Sequence, residues 1–394
     1  MPPSQIIINL PFFNVLDIKN KERITFTVQS TKKPQCPHCL SLKLRMKDSF
    51  IRKVRHISFG EKQSELEIKS HKYKCLECFR YFNERFDGIM TRKRSSEQFR
   101  KEVTRKHHDG ITQKNLANKL SLSSSTIEKW YQDYIFLEHQ KINSFKCPRV
   151  LGIDEHFFSK KDGFATTLVD LSKHKVFDVK LGRTENSLKS YLNKLEGRSQ
   201  VQVVLMDLSQ TYRQIIKKYF KNAMIVADRF HVIRLINHHF MNTWKTFDPD
   251  GKYNRGLLSL MRRHHWKLKE EQKIKLNEYL NSIVGLKALY DFKQELNALM
   301  ILKHQRADNC RKHISTFLFM ISELQNSGFK AMRTLGNTLS EWREEIVRMW
   351  RFTKTNSITE GLHTKMEMIS RRAFGFRNFE NYRLRVKVHC GYAS

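Results

Sequence analysis

The chain has 394 residues, with 73 Lys and Arg against 39 Asp and Glu, and a formal net charge of +34. This length predicts two to four domains, and 40% hydrophobic residues with 27 Phe exclude a disordered basic tail. A basic excess spread along the chain predicts a nucleic acid as partner. An anionic membrane fits less well, because the longest apolar run, residues 6–13, is too short to cross a bilayer and follows no basic region. We therefore expect a cytoplasmic protein with no membrane partner.

Four of the seven cysteines form two CxxC pairs within a segment whose alternating apolar residues predict short strands and turns. The pairs are Cys36 with Cys39, and Cys75 with Cys78. Four thiolates complete a closed tetrahedral Zn²⁺ site, which would be structural and not catalytic. Coincidental buried cysteines are the alternative, but paired spacing and an odd total favour metal over disulfides. We expect an N-terminal zinc-binding domain over residues 1–92.

Residues 93–140 change to helical spacing and predict a helix-turn-helix DNA-binding domain, centred on GITQKNLANKLSLSSSTIEKW. Leu116 and Leu120 share one face, and Ser123 is a good N-cap for a second helix. That helix would present its exposed side chains to the major groove. These side chains are Ser124, Ser125, Glu128, Lys129 and Gln132. An ordinary helical hairpin is the alternative, and a joint over residues 139–149 would separate this domain from the rest.

From residue 150 onward, strand and helix patterns alternate and predict a mixed α/β sheet. Three apolar strands end in an aspartate, namely Asp154, Asp207 and Asp228. Carboxylates converging at strand ends repel one another unless a cation lies among them, and Mg²⁺ prefers such oxygen ligands. Two such ions can activate a water or a 3′-hydroxyl for attack on a phosphodiester. The alternative for each aspartate is a turn residue or helix N-cap, which fits Asp207 well.

A third acidic ligand is expected from a helix near the sheet, and the predicted helix at residues 355–369 offers Glu360. Glu367 on the same helix and Glu344 further upstream are alternatives. Spacing alone does not choose among the three.

The motifs CPHC, CLEC, VLGIDEHFF, VVLMDLSQTYRQ, VADRFHVIR, TNSITEGLHTK and RRAFGFRNFENYRLRV together resemble bacterial insertion-sequence transposases of the DDE type, in the ISL3 family. The resemblance covers nearly the full length. It implies a ribonuclease-H-like catalytic domain in which Asp154, Asp207 and Glu360 form the triad and hold two Mg²⁺ or Mn²⁺ ions. It also implies an all-helical insertion in that domain. The expected parts are the first core segment at residues 150–240, the insertion at 241–345, and the second core segment with a basic tail at 346–394.

The DRFH stretch resembles a DxxH motif of transposases with inserted domains, which points to Asp228 and His231 as auxiliary residues. They would order the site, contact flanking DNA or transfer a proton. The alternative is that Asp228 only caps a helix beginning near Phe230 and that His231 is structural.

The last basic stretch interleaves arginine with aromatic residues and predicts DNA contacts. The expected phosphate contacts are Arg371, Arg372, Arg377, Arg383 and Arg385. Phe374 or Phe376 would stack on an unpaired base. The alternative is a solvated face whose aromatic side chains belong to the core.

The sequence thus predicts a multidomain α/β transposase with an N-terminal zinc ribbon. It would bind terminal inverted repeats, cleave them and join them to target DNA, as a homodimer or larger assembly in the bacterial nucleoid. Two alternatives remain: a DNA-binding regulator with an inactive catalytic domain, and a nuclease of the same fold that does not join strands.

Overall fold

A computed structural model describes residues 8–142, 146–352 and 357–392. The chain forms two compact units, Met1–Leu137 and Glu138–Ser394. Part of the predicted joint at 139–149, and the start of the predicted helix at 355–369, lie outside the described residues. Within the described part of the chain, no helix is long and apolar enough to span a membrane.

The first unit contains a five-stranded sheet in which β1, β2, β4 and β3 lie in that order and β5 pairs with β4. The strands are β1 (Phe13–Asn20), β2 (Ile24–Ser30), β3 (Leu44–Phe59), β4 (Lys62–Cys75) and β5 (Tyr81–Asn83). The predicted alternation is confirmed, since Phe26 and Val28 of β2 are buried and pair with Leu66 and Ile68 of β4. The expectation of short strands was wrong for β3 and β4. The first half of β3 is almost wholly exposed, so it shows no alternating pattern.

Three helices complete the first unit: α1 (Glu97–His108), α2 (Gln113–Leu120) and α3 (Ser124–Gln140). Phe99 and Val103 of α1 pack with Leu116 and Leu120 of α2 and with Ile127 of α3. The hydroxyl of Ser123 accepts a hydrogen bond from the backbone N–H of Thr126, which caps the start of α3 as the sequence predicts. The predicted segment therefore holds two helices joined by a short turn.

The second unit is built on a mixed sheet with the order β10, β9, β6, β7 and β8. Its strands are β6 (Val150–Ser159), β7 (Gly163–Asp170), β8 (Lys175–Leu181), β9 (Val203–Met206) and β10 (Met224–Ala227). The β6, β9 and β10 strands are parallel, whereas β7 and β8 return antiparallel. This confirms the predicted mixed α/β sheet.

Eleven described helices surround or follow this sheet. They are α4 (Glu185–Lys194), α5 (Gln210–Tyr219), α6 (Arg229–Phe247), α7 (Arg255–Arg262), α8 (Glu270–Ser282), α9 (Leu286–Met300), α10 (Ala307–Gln325), α11 (Lys330–Glu341), α12 (Arg343–Arg351), α13 (Ser357–Arg372) and α14 (Phe379–Cys390). The predicted helical run between the sheet and the C-terminal segment is confirmed. The C-terminal stretch, expected as a tail, instead forms α14, whose Tyr382 and Val386 are buried.

Candidate active site and zinc site

On each of the three parallel strands, an aspartate comes directly after a residue that is paired with its neighbour on the next strand. Ile153 pairs with Met206, and Met206 pairs with Ala227, so the next residue on each strand is an aspartate. Because these strands run in the same direction, Asp154, Asp207 and Asp228 lie side by side where the pairing of the three strands ends. We call these three residues the acidic edge. One expectation needs correction: β6 does not end at Asp154 but continues to Ser159, paired with β7. Only its pairing with β9 stops there.

Asp207 is not the cap of the helix that follows it. The hydroxyl of Ser209 accepts the capping hydrogen bond from the backbone N–H of Tyr212, at 3.5 Å. The N-cap alternative for Asp207 is therefore wrong. Its Oδ1 atom is buried and lies 2.8 Å from Nδ1 of His231.

Asp228 makes two kinds of contact in the structure, and the first is the helix cap that the alternative expected. It is the N-cap of α6 and accepts from the backbone N–H of Phe230. It also accepts a hydrogen bond of 2.6 Å from Nδ1 of His231, which lies 2.8 Å from Oδ1 of Asp207. Burial by itself would lower the pKa of His231, but the two aspartates outweigh burial and raise it to about 10. The imidazolium therefore partly neutralises this acidic edge.

Asp154 is buried, with 8% of its surface exposed, and accepts from the backbone N–H of Glu155. Burial, and next the negative charge of Asp207, raise the pKa of Asp154 to about 7. A cation bound at this edge would oppose both effects.

Glu360 lies near the start of α13, on a helix that packs directly against β6. A side chain at Gly152 would meet Oγ1 of Thr359 at 3.2 Å, so glycine permits the close approach. One turn later, Nδ1 of His363 lies 3.7 Å from Oδ2 of Asp154. Glu360 falls between these two contacts along the helix, and its side chain is exposed.

The two alternative glutamates each form an ion pair within their own helix. Glu367 pairs with Arg371 at 2.7 Å, and Glu344 pairs with Arg348 at 3.0 Å. Neither pair involves a residue of the acidic edge.

A polar network beside Asp154 was missed by sequence reasoning. The Thr167 hydroxyl lies 2.9 Å from Nδ1 of His156 and 3.1 Å from Nε2 of His363, and the Tyr382 hydroxyl lies 3.0 Å from Nε2 of His156. Burial lowers the pKa of His156 to about 3 and that of His363 to about 4. Both rings are therefore neutral near pH 7. The available signal was His156 two residues after Asp154 in VLGIDEHFF.

The carboxylate oxygens of this edge are ligands of the kind that a hard divalent cation prefers. At this edge, the described side chains whose ligand atoms all lie within 4.8 Å of one another are Asp207, Asp228 and His231. The structure thus groups Asp207 more closely with the DRFH residues than with the other two acids of the expected triad.

The four paired cysteines meet in the first unit, with their sulfurs within 4.8 Å of one another. Sγ of Cys36 lies 3.6 Å from that of Cys78, and Sγ of Cys39 lies 3.5 Å from that of Cys75. A Zn–S bond of about 2.3 Å separates tetrahedral sulfurs by about 3.8 Å, so the arrangement fits a structural Zn²⁺.

Some of the residues expected to contact DNA have exposed side chains, and others have buried ones. Ser124, Ser125 and Lys129 are exposed on α3, and Arg372 and Arg377 are exposed beside the turn after α13. Arg371 is exposed as well, although it pairs with Glu367.

Two other arginines of this stretch were expected to contact phosphates, but both are mostly buried in the structure. Arg383 is paired with Asp178, and Arg385 is 91% buried. The two phenylalanines also differ, because Phe374 is 89% exposed whereas Phe376 packs against Tyr382.

Comparison with known proteins follows the same division of the chain. A family model for DDE transposases of the ISL3 group, described as a transposase, matches residues 151–386, more than half of the chain. A second, described as the zinc-finger of transposase IS204/IS1001/IS1096/IS1165, matches residues 32–78. The transposase for insertion sequence element IS1001 of Bordetella parapertussis is 25% identical over 248 residues. That match spans 60% of this chain and 60% of the relative.

Proposed function

The chain belongs to the ISL3 family of insertion-sequence transposases, and from this membership we propose that it binds terminal inverted repeats and catalyses metal-dependent DNA cleavage and strand transfer. The observation that carries the proposal is the register of β6 and β9. It places Asp154 and Asp207 side by side, on the strands next to the helix that carries Glu360. We assign this sheet and its helices to a ribonuclease-H-like domain.

In the proposed site, Asp154, Asp207 and Glu360 hold two Mg²⁺ ions, or Mn²⁺ in their place. When bound, the ions supply an activated water or 3′-hydroxyl and stabilise the leaving oxygen. The protein contributes the arrangement of ligands. The pairing of Ile153 with Met206 fixes the spacing of two aspartates, and α13, which carries Glu360, meets β6 through Thr359 and His363.

His231 and Asp228 orient the second carboxylate in this account. Nδ1 of His231 lies 2.6 Å from Oδ2 of Asp228 and 2.8 Å from Oδ1 of Asp207, so the ring is held against both carboxylates. The imidazolium therefore holds the Asp207 carboxylate in place and partly balances its charge.

We assign the recognition of DNA ends to the first unit, with the zinc ribbon and the α2–α3 pair as binding elements. Ser124, Ser125 and Lys129 lie on the exposed face of α3, where a recognition helix meets the major groove. Two ends must be processed together, so the active form is a dimer or a larger assembly.

The test uses full-length protein and duplexes carrying the end of its own insertion sequence with flanking DNA. Reactions with Mg²⁺ are mapped at base resolution for nicks and for joining of the 3′ end to a second duplex. Specific nicking followed by joining is the expected result. Nicking without joining would identify a nuclease, and end binding without nicking would identify a regulator with an inactive catalytic domain.

A further inference from the structure

One face of β6 is met by helix side chains at three successive positions. Gly152, Asp154 and His156 alternate along the strand, so they share this face. Each is met by one helix residue, namely Thr359 at Gly152, His363 at Asp154 and Tyr382 at His156. Two strand residues span about 6.7 Å and four helix residues about 6 Å, so α13 runs in step with β6. The contact at His363 therefore sets where α13 lies along the strand.

A buried hydroxyl links His363 to the strand next to β6. Thr167 of β7 pairs directly with Asp154, so the two side chains lie on the same face, and Thr167 is wholly buried. Its hydroxyl lies 3.1 Å from Nε2 of His363 and 2.9 Å from Nδ1 of His156. The other nitrogen of His363, Nδ1, lies 3.7 Å from Oδ2 of Asp154, an electrostatic contact longer than a hydrogen bond. His363 thus joins the first acid to a hydroxyl of the sheet.

The charge of Asp154 favours one direction for these hydrogen bonds. A neutral imidazole has one N–H donor and one acceptor nitrogen, and a hydroxyl donates one hydrogen. A hydrogen on Nδ1 of His363 faces the ionised carboxylate of Asp154, whereas a lone pair there would be repelled by it. With Nδ1 protonated, the Thr167 hydroxyl donates to Nε2 of His363 and accepts from Nδ1 of His156. The Tyr382 hydroxyl then donates to Nε2 of His156.

The far end of this chain of hydrogen bonds is held in the core. Tyr382 is 2% exposed, and its ring centre lies 5.1 Å from that of Phe158 and 5.2 Å from that of Phe376. A buried ring packed among other rings keeps one orientation. The chain therefore runs from a fixed phenol to the carboxylate of Asp154.

Resting on the proposed function, we propose that His363 is a positioning residue for the acidic edge. It orients the Asp154 carboxylate toward a cation and keeps α13, which carries Glu360, in register with β6. Thr167 and the groups behind it hold the ring in the orientation that this requires. Residues that orient metal ligands in this way change metal affinity by about 10- to 100-fold when they are removed.

The test is the Mn²⁺ affinity of the full-length protein without DNA, followed by the electron paramagnetic resonance signal of free Mn²⁺. Thr167→Val removes the linking hydroxyl, and His363→Leu removes both ring nitrogens. Each should weaken Mn²⁺ binding by roughly 10- to 100-fold. His363→Asn keeps an N–H donor near the place of Nδ1, so it should bind Mn²⁺ more tightly than His363→Leu. Packing alone would favour leucine over asparagine at this mostly buried position.

Thr166→Val is the matched control for Thr167→Val. Thr166 precedes Thr167 on β7, is 2% exposed, and lies on the opposite face of the sheet. Its hydroxyl donates to the carbonyl oxygen of Gly182 and accepts from the hydroxyl of Tyr212. Removing it should lower thermal stability about as much as Thr167→Val does, and it should leave Mn²⁺ affinity unchanged.

Unchanged Mn²⁺ affinity in Thr167→Val and His363→Leu would overturn the inference, and so would a wild type that binds no Mn²⁺. An equal loss in Thr166→Val would also overturn it, because the effect would then follow stability. His363→Asn binding no better than His363→Leu would overturn the assignment of Nδ1.

Cleavage of end DNA in Mg²⁺ is measured on the same preparations. Cleavage by the wild type with unchanged Mn²⁺ affinities in the variants rejects only the positioning by His363. The expected Mn²⁺ affinities without cleavage by the wild type reject only the proposed function.

Discussion

His231 donates its Nδ1 hydrogen to Oδ2 of Asp228 across 2.6 Å, and this places the ring 2.8 Å from Oδ1 of Asp207. The hydrogen bond therefore fixes the orientation of a side chain that touches one of the proposed metal ligands. Partners of this kind commonly change metal affinity or activity by about 10- to 100-fold when removed.

His231→Ala should accordingly lower the cleavage rate by roughly 10- to 100-fold and raise the Mg²⁺ concentration needed for half-maximal rate. Asp228→Asn should have a smaller effect on stability than on rate, because asparagine is as good an N-cap as aspartate. Rates over a Mg²⁺ titration check this. A His231→Ala enzyme with an unchanged rate and Mg²⁺ dependence would show that the ring is only structural.

The buried pair between Asp178 of β8 and Arg383 of α14 should stabilise the second unit. Two hydrogen bonds of 2.7 Å join the groups, and both side chains are mostly buried. Arg383→Met should destabilise this unit by about 3 kcal/mol, because it leaves a buried carboxylate with only the more distant Lys387, 3.9 Å away, as a cationic partner. Arg371→Met, in an exposed pair, should change stability by less than about 1 kcal/mol. Urea unfolding followed in both variants measures the difference.

The same pair predicts a pH dependence. Burial alone would raise the pKa of Asp178, but the hydrogen bonds and charges of Arg383 and Lys387 lower it. A carboxyl whose folded pKa lies below its unfolded value of about 4 stabilises the fold above that pH. This stabilisation is lost as pH falls below about 4, toward the folded pKa. The wild type should therefore lose stability over this window more steeply than Arg383→Met.

The zinc site should govern the first unit without affecting the second. Cys36→Ser or Cys78→Ser should lose about one zinc per chain and weaken binding of end DNA, since thiolate ligands supply folding free energy only with the metal present. Cys310→Ala, in the core of the second unit, should keep full zinc content. Metal analysis of the purified proteins decides the matter. A wild-type preparation with full DNA binding and no zinc would contradict this assignment.

The two phenylalanines after α13 form a matched pair for testing DNA contact. Phe374 is 89% exposed at a positive φ of 54°, so Phe374→Ala should leave stability within about 0.5 kcal/mol and weaken DNA binding. Phe376 packs against Tyr382, so Phe376→Ala should destabilise the fold, by about 1–3 kcal/mol. Thermal unfolding and DNA affinity of both variants are compared. Unchanged DNA binding by Phe374→Ala would remove this residue from the interface.

Much of the site could be predicted because its signals are local. The CxxC pairs and the aspartates after apolar strands are visible as short patterns, and the structure brings the members of each set together. The choice of Glu360 depended instead on the family resemblance, because a helix packed across the sheet has no fixed spacing from the strands it meets.

What was missed depends on contacts distant in sequence. His156 of β6 meets Tyr382 of α14, and Thr167 of β7 meets His363 of α13, over separations that no periodicity reveals. The same holds for Arg383, whose charge suggested a phosphate contact before its buried partner Asp178 was known.

We propose that Asp154, Asp207 and Glu360 are the metal ligands of a DNA-cleaving site. Its most direct test is the Mg²⁺-dependent cleavage rate of end DNA by Asp154→Asn, Asp207→Asn and Glu360→Gln, with Glu367→Gln as the control on the same helix. Each of the three variants should bind end DNA nearly as the wild type does and should not cleave it, while the control should cleave normally. Cleavage at the wild-type rate by any of the three would contradict the assignment of that residue.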